Sequence, residues 1–240
     1  MTICIFTCIS LSSHARTDSL TLQVYPRLHS AGYFPFTGAL LNHNPVADVN
    51  IFYERNSSAP ATAGFFIFQS FDIKDRHSYA NYFQPGIFAT VKLSPAVKVR
   101  GFFGYIFSQT KSFRDPGDSD YYAAATIYWD PGQHLSIQNT VLFYDYNINR
   151  KLANRILVSC AYNKFKADFF LWNRLVMAEK KQAISASIAL TFPIIKAGEK
   201  KKTAIQLTSA YMWYLTAYKP AFALDKGFIF TLGVPINVKP

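Results

Sequence analysis

His134 and Ser136 are the residues in this 240-residue chain whose types and spacing come nearest to catalytic chemistry. They stand two positions apart in HLSIQN, so on a β-strand both side chains would point to the same face. An imidazole beside a hydroxyl can act as the base that activates a serine nucleophile. The next residues, Ile137 and Gln138, add no further catalytic group. Hydrolysis is therefore a minor alternative, and we name no catalytic residue.

A second group of candidate residues consists of charged side chains that alternate with apolar ones. In VKVRGFFGYIF, residues 97–107, Lys98 and Arg100 share one strand face, whereas Val99 and Phe103 share the other. In a soluble sheet protein the charged face would meet water. In a membrane barrel the charged face would line the interior, and the apolar face would meet lipid.

The same alternation predicts which charged residues would face the interior of a barrel. The cations expected there are Lys92, Lys98, Arg100, Arg155 and Lys166, and their acidic partners are Asp48, Glu54 and Asp168. Rings of Lys and Arg favour the passage of anions. The alternative is that these charges pair with one another across a filled interior, as in small barrels. Five aromatic residues that would also face inward favour filling: Phe52, Phe66, Phe68, Phe102 and Tyr128.

Cofactors, metal ions and nucleic acid are not expected as partners. The five histidines are too far apart in the sequence to place metal ligands on one face, and no glycine-rich phosphate loop occurs. The formal net charge is +11, but the cations are scattered over strand ends and loops without the concentrated stripe that indicates nucleic-acid binding. Those in the predicted outer loops could instead pair with lipopolysaccharide phosphates.

The elements that must position these residues are β-strands. Twelve segments have strand character: 19–25, 47–54, 62–72, 82–93, 97–109, 119–129, 134–145, 152–162, 165–174, 183–193, 203–214 and 227–238. No window approaches the roughly 18 apolar residues that a spanning helix needs. The connections after even-numbered segments are mostly short, and those after odd-numbered segments are mostly long. This pattern is typical of a barrel with long loops at one end and short turns at the other.

The N-terminus has the features of an export signal. Residues 3–11 are apolar, and Ser13 and Ala15 occupy the small-residue positions of a cleavage site. We therefore expect residues 1–15 to be a signal peptide and residues 16–240 to form the barrel. Cys4 and Cys8 lie in that signal, so Cys160 would have no partner for an internal disulfide.

In strand pattern, length and signal, the chain resembles bacterial outer-membrane β-barrel proteins as a class, over residues 19–238. The resemblance implies an all-β fold: a single antiparallel transmembrane β-barrel of about twelve strands in the outer membrane of a Gram-negative bacterium, with both termini periplasmic. It also implies contact with outer-membrane lipid and a passive role, either as a narrow porin-like channel for small anionic solutes or as a structural component of the envelope.

Two other functions stay open at this point. A soluble exported β-barrel that binds an apolar ligand would show the same alternation, with its apolar face turned inward instead of outward. A lipid hydrolase resembling outer-membrane phospholipase A would use His134 and Ser136. That family continues its motif with Asn-Gly after the serine, whereas this chain has Ile137 and Gln138 there.

Overall fold

The computed structural model describes residues 19–34, 39–56, 60–76, 78, 80–108, 120–144, 150–177, 179–197, 203–219 and 223–238. Its strands are β1 (Ser19–His29), β2 (Gly32–Phe34), β3 (Ala39–Asn42), β4 (Val46–Asn56), β5 (Ala61–Asp72), β6 (Tyr82–Lys92), β7 (Val97–Ser108), β8 (Asp120–Trp129), β9 (Leu135–Tyr144), β10 (Lys151–Tyr162), β11 (Phe165–Val176), β12 (Lys181–Ala197), β13 (Thr203–Tyr214), β14 (Lys226–Gly233) and β15 (Ile236–Val238). No helix in these ranges is long and apolar enough to cross a membrane.

The strands form one closed antiparallel barrel. From β4 to β14 each strand pairs with its neighbour in sequence, and β1 closes the ring by pairing with β4 on one side and with β14 and β15 on the other. Because β14 and β15 together form one interrupted strand, the barrel has twelve strands. The predicted fold class and strand number are confirmed, and closure leaves no unpaired sheet edge.

The first strand is longer than the sequence predicted. We expected it to end at Tyr25 because Pro26 lacks an N–H, yet β1 continues to His29. Pro26 lies beside the interruption between β14 and β15, where Arg27 is opposite Gly233 and Val24 is opposite Ile236. The missing donor therefore costs no hydrogen bond of the regular ladder.

The outer surface of the barrel is apolar. Large side chains with about half or more of their surface exposed include Ile87, Phe103, Ile188 and Phe228, at 61, 52, 51 and 60%. A continuous apolar belt of this kind is unfavourable in water and favourable against lipid hydrocarbon. The barrel is therefore a transmembrane one. A soluble barrel would instead turn its apolar strand faces inward and its polar faces to water.

The connections differ in length at the two ends of the barrel. The connections over residues 57–60, 93–96, 130–134 and 163–164 are short, whereas those over residues 30–45, 73–81, 109–119 and 215–225, which join strands at the opposite end, are longer. The described chain ends, at Ser19 and Val238, lie at the short-turn end, because Ser19 is opposite Asn56 and Leu22 is opposite Val238. The four-residue connection 177–180 and the five-residue connection 198–202 depart from the expected alternation of lengths.

The first long connection folds back into the barrel. It contains the hairpin of β2 and β3, whose Leu40 is 1% exposed and packs with Trp172, Met212 and Ile229. The neighbouring Leu41 packs against a second buried group, which includes Ala80 and Ala223 from two other long connections. These contacts cover part of the long-loop end from the inside, an arrangement that the sequence pattern did not predict.

Candidate functional site in the barrel interior

A row of arginine and threonine side chains crosses the interior wall from β6 to β10. Strand pairing places Thr90 opposite Arg100, Arg100 opposite Thr126, Thr126 opposite Thr140, and Thr140 opposite Arg155. Arg100 Nε donates to Thr90 Oγ1 at 2.7 Å, the two middle hydroxyls are 2.8 Å apart, and Arg155 Nη2 lies 3.4 Å from Thr140 Oγ1. We call these five residues the arginine–threonine belt.

At one end of the belt, Arg100 is neutralised by an acidic side chain. Its Nη2 lies 2.8 and 3.1 Å from the two carboxylate oxygens of Glu54, which also accepts a hydrogen bond from Thr62 at 2.8 Å. The guanidinium carbon lies 4.4 Å from the centre of the Phe88 ring. Charge pairing and ring stacking both hold this arginine against the wall.

Asp48 forms a second buried charge cluster. It accepts hydrogen bonds from Arg27 Nε at 2.7 Å and Arg27 Nη2 at 3.0 Å, and its second oxygen lies 2.8 Å from His29 Nε2. The other ring nitrogen of His29 lies 2.8 Å from Thr231 Oγ1. Sequence reasoning placed Asp48 inside but missed these partners, because both lie beyond Pro26 in what was predicted to be a loop.

The other predicted interior residues lie nearer the short-turn end. Lys166 and Asp168 form an ion pair at 3.0 Å, and Ser159 also donates to the Asp168 carboxylate. The Lys98 ammonium lies 4.8 Å from the centre of the Tyr128 ring. Lys92 is opposite Lys98 in the strand register and is exposed at the end of β6.

Arg155, at the other end of the belt, differs from Arg27, Arg100 and Lys166. No carboxylate of the described residues pairs with it, and its buried Nε has no hydrogen-bond partner. Its one side-chain hydrogen bond is the long one to Thr140. A half-buried guanidinium without a carboxylate partner is stabilised by an anion, so Arg155 is a candidate group to bind one.

Two cavities meet at Arg155. The larger one, which we call the vestibule, has a volume of about 590 Å³, lies along β10–β14 and β1, and reaches Asn163 and Lys164 in a short turn. The smaller one, which we call the aromatic cavity, has a volume of about 330 Å³ and lies along β4–β11. Arg27, Arg155, Phe170 and the hairpin residue Tyr33 line both cavities.

Aromatic side chains fill much of the interior beside the smaller cavity. Phe66 packs in one buried cluster with Phe88 and Tyr122, and Phe52 and Phe102 pack against it. Gly104 makes room for this packing, since a Cβ there would lie 2.6 Å from the Tyr122 hydroxyl oxygen. The interior is therefore packed with rings around the smaller cavity on one side and holds the larger vestibule on the other, a combination of the two arrangements that the sequence left undecided.

The residues singled out for hydrolysis do not form a catalytic pair. His134 is exposed near a short turn, and its Nδ1 lies 2.9 Å from the backbone oxygen of Ala161. Its ring lies 6.0 Å from that of Tyr162, and no described hydrogen bond joins it to Ser136. Among the residues that the structure describes, no group of three or more His, Cys, Asp and Glu side chains could hold a metal ion.

Comparisons with known proteins agree on the fold. No protein-family model and no curated protein sequence matches the chain. Among solved structures, the NanC porin is similar with a TM-score of 0.54 at 13% identity, over 89% of this chain and 98% of that one. The KdgM porin in complex with disordered oligogalacturonate is similar with a TM-score of 0.51 at 6% identity, over 90% and 97% of the two chains. The fold is that of an outer-membrane porin.

Proposed function

We propose that the chain is a porin-like passive channel of the Gram-negative outer membrane that admits small anionic solutes. The observation that carries the proposal is the unpaired charge of Arg155 at the junction of the two cavities. The interior cations Arg27, Arg100 and Lys166 are each bound to a carboxylate, so their charges cancel locally. Arg155 has no such partner among the described residues and leaves the junction with one excess positive charge.

The position of this charge suits selection among permeating ions. A guanidinium that lines both cavities between low-dielectric walls raises the local concentration of anions and repels cations. The vestibule leads from this point to the short-turn end, where Lys164 and Lys166 line it. Lys166 is paired with Asp168, so Lys164 is the cation that extends the favourable potential toward the periplasmic mouth.

Acidic saccharides are one class of anion to be tested. A similar porin, KdgM, has been solved in complex with oligogalacturonate. In the present chain the vestibule offers hydroxyl and amide groups from Ser187, Thr191, Gln206 and Thr208, which can hydrogen-bond a sugar.

The outer surface and the N-terminus complete the proposal. The apolar belt contacts outer-membrane lipid, and the exposed cations Lys74, Arg76, Arg150 and Lys180 at the long-loop end pair with lipopolysaccharide phosphates. Residues 1–15 serve as the signal peptide for export and lie outside the described residues. His134 and Ser136 have no catalytic role in this proposal.

A structural role in the envelope is the second candidate, and the filled half of the interior favours it. The test is the current through the purified protein in a planar lipid bilayer under a salt gradient. We expect a reversal potential that indicates anion preference and weakens as salt screens the charge. Arg155→Gln should abolish the preference, whereas Arg155→Lys, which keeps the charge, should retain most of it. A silent wild type would reject the channel and leave the structural role.

A further inference from the structure

The aromatic cavity has the size, walls and charge of a specific ligand site. We propose that it binds a monocarboxylate carried on a single aromatic ring, with the carboxylate on Arg155 and the ring among the phenylalanine side chains. The inference deepens the proposed function, on which it rests, because it names a class of anion that the same arginine would recognise.

The volume of the cavity favours a small ligand. About 330 Å³ is near the lower limit of the roughly 300–1,000 Å³ that small-molecule sites occupy. A one-ring acid fits such a space, whereas an oligosaccharide needs the length of the vestibule. The cavity shares four lining residues with the vestibule, so the two spaces are adjacent and Arg155 lies between them.

The walls of the cavity favour an aromatic ring over a sugar. Phe52, Phe66 and Phe102 all line it, with ring centres 5.7 Å apart for the first pair and 5.6 Å apart, in an edge-to-face arrangement, for the second. Aromatic rings prefer offset-stacked or edge-to-face neighbours at such distances. These three side chains offer no hydrogen bonds to hydroxyl groups, so the part of a ligand that lies against them is favoured when it is apolar. The polar lining residues Asn50, Thr126 and Thr140 lie elsewhere on the wall.

The charge of the cavity favours a monoanion. Three guanidinium groups line it, but Arg27 is bound to Asp48 and Arg100 is bound to Glu54. Among the described residues, Arg155 is the one of these three that has no carboxylate partner, so it contributes the excess charge. One carboxylate can accept two parallel hydrogen bonds from a guanidinium, whereas a second carboxylate would enter the cavity without a counter-ion.

The test is isothermal titration of the purified full-length protein in detergent with benzoate as the probe, and with benzyl alcohol and galacturonate as comparison ligands. Benzyl alcohol keeps the ring and lacks the charge, whereas galacturonate keeps the charge and lacks the ring. We expect benzoate to bind at least about tenfold more tightly than benzyl alcohol, since a charge-assisted hydrogen bond contributes roughly that factor. In the aromatic cavity it should also bind more tightly than galacturonate, because the phenylalanine side chains pack against a ring. Equal binding of benzoate and benzyl alcohol, or galacturonate binding that filling the aromatic cavity weakens as much as it weakens benzoate binding, would overturn the proposal.

Two variants and a control locate the site. Arg155→Gln should weaken benzoate binding at least about tenfold, and Ala124→Phe, which fills the cavity without altering a charge, should abolish it. Lys92→Gln changes an exposed cation that lines neither cavity and should leave benzoate affinity unchanged. Heat-dependent gel mobility verifies that each variant is a folded barrel. Benzoate affinity that is unaffected by Ala124→Phe in a folded barrel would refute the site.

The two proposals fail separately. If benzoate does not bind but the bilayer current is anion-selective, the channel stands and the aromatic site is rejected. If benzoate binds with the expected dependence on Arg155 and the bilayer is silent, the site stands and passive permeation is rejected.

Discussion

The two halves of the barrel interior share one backbone architecture and differ in what their inward-facing side chains occupy. On the β4–β9 side, Phe66, Phe102 and Tyr122 project inward and pack on one another. On the β12–β13 side, the inward-facing residues Ser187, Ala189 and Ala210 are small, and the vestibule lies beside them. The comparison shows that in a twelve-stranded barrel the volume of the inward side chains decides where cavities remain.

The packing of the aromatic half can be tested by removing one of its aromatic rings. Phe66→Ala removes a side chain that is 5% exposed and contacts Phe52, Phe102 and Tyr122. We expect a loss of about 3–5 kcal/mol in the free energy of unfolding, because a buried Phe→Ala change leaves a cavity. Denaturant titration of the detergent-solubilised barrel measures this loss, and bilayer conductance should rise. An unchanged stability would mean that the aromatic cluster is not packed as described.

The outer face of the open half can be tested with a charge. Ile188 is 51% exposed on β12 between the buried Ser187 and Ala189, so Ile188→Arg would place a cation against hydrocarbon. We expect a cost of about 2–4 kcal/mol near the middle of the bilayer, seen as a lower yield of heat-modifiable barrel in lipid. Ile188→Leu is the matched control and should assemble normally. Normal assembly of the arginine variant would place this residue outside the membrane.

The open half can also be made to resemble the packed half. Ala189→Phe adds a ring toward the vestibule, which has the space to accept it. We expect a stability loss of at most about 1–3 kcal/mol, the usual range for an enlarged buried side chain, together with a clear decrease in single-channel current. The same substitution at the outward-facing Leu190, 55% exposed, should leave the current unchanged. Equal currents in both variants would show that solute does not pass along β12.

The smallest expected effect on stability and ion preference concerns Lys98, a cation at the edge of the packed half. Lys98 lies over the Tyr128 ring at 4.8 Å, a cation–π contact that contributes about 0.5–1 kcal/mol at an exposed site. Lys98→Gln should lower stability by about that amount and reduce anion preference less than Arg155→Gln does. A larger shift in reversal potential for Lys98→Gln would move the selective point to the short-turn end.

The sequence predicted the features that depend on alternation along single strands. In VKVRGFFGYIF the structure has Arg100 paired inside the barrel and Phe103 52% exposed outside it, because a strand with two unlike faces can be oriented in one way only. Prolines were a less reliable guide to where strands end. The first strand continues through Pro26, which lies beside an interruption in the neighbouring strand.

The features that the sequence did not reveal depend on contacts between distant segments. The pairing of Asp48 with Arg27 and His29 requires knowledge of which strands are neighbours. The inward packing of Leu40 requires the space above Gly227, where a Cβ would lie 2.5 Å from a Leu40 methyl group. Neither the pairing nor that space produces a periodic signal in the sequence.

The interruption between β14 and β15 gives the closed ring a seam. Along one side, β1 is in register with β4 over eleven residue pairs, whereas on the other it meets β14 over three and β15 over three more. Because each ladder pair adds to the cohesion of neighbouring strands, this junction is the least costly place for the cylinder to part. We therefore expect the pairing of the first strand with the last strands to form last when the barrel assembles in the membrane.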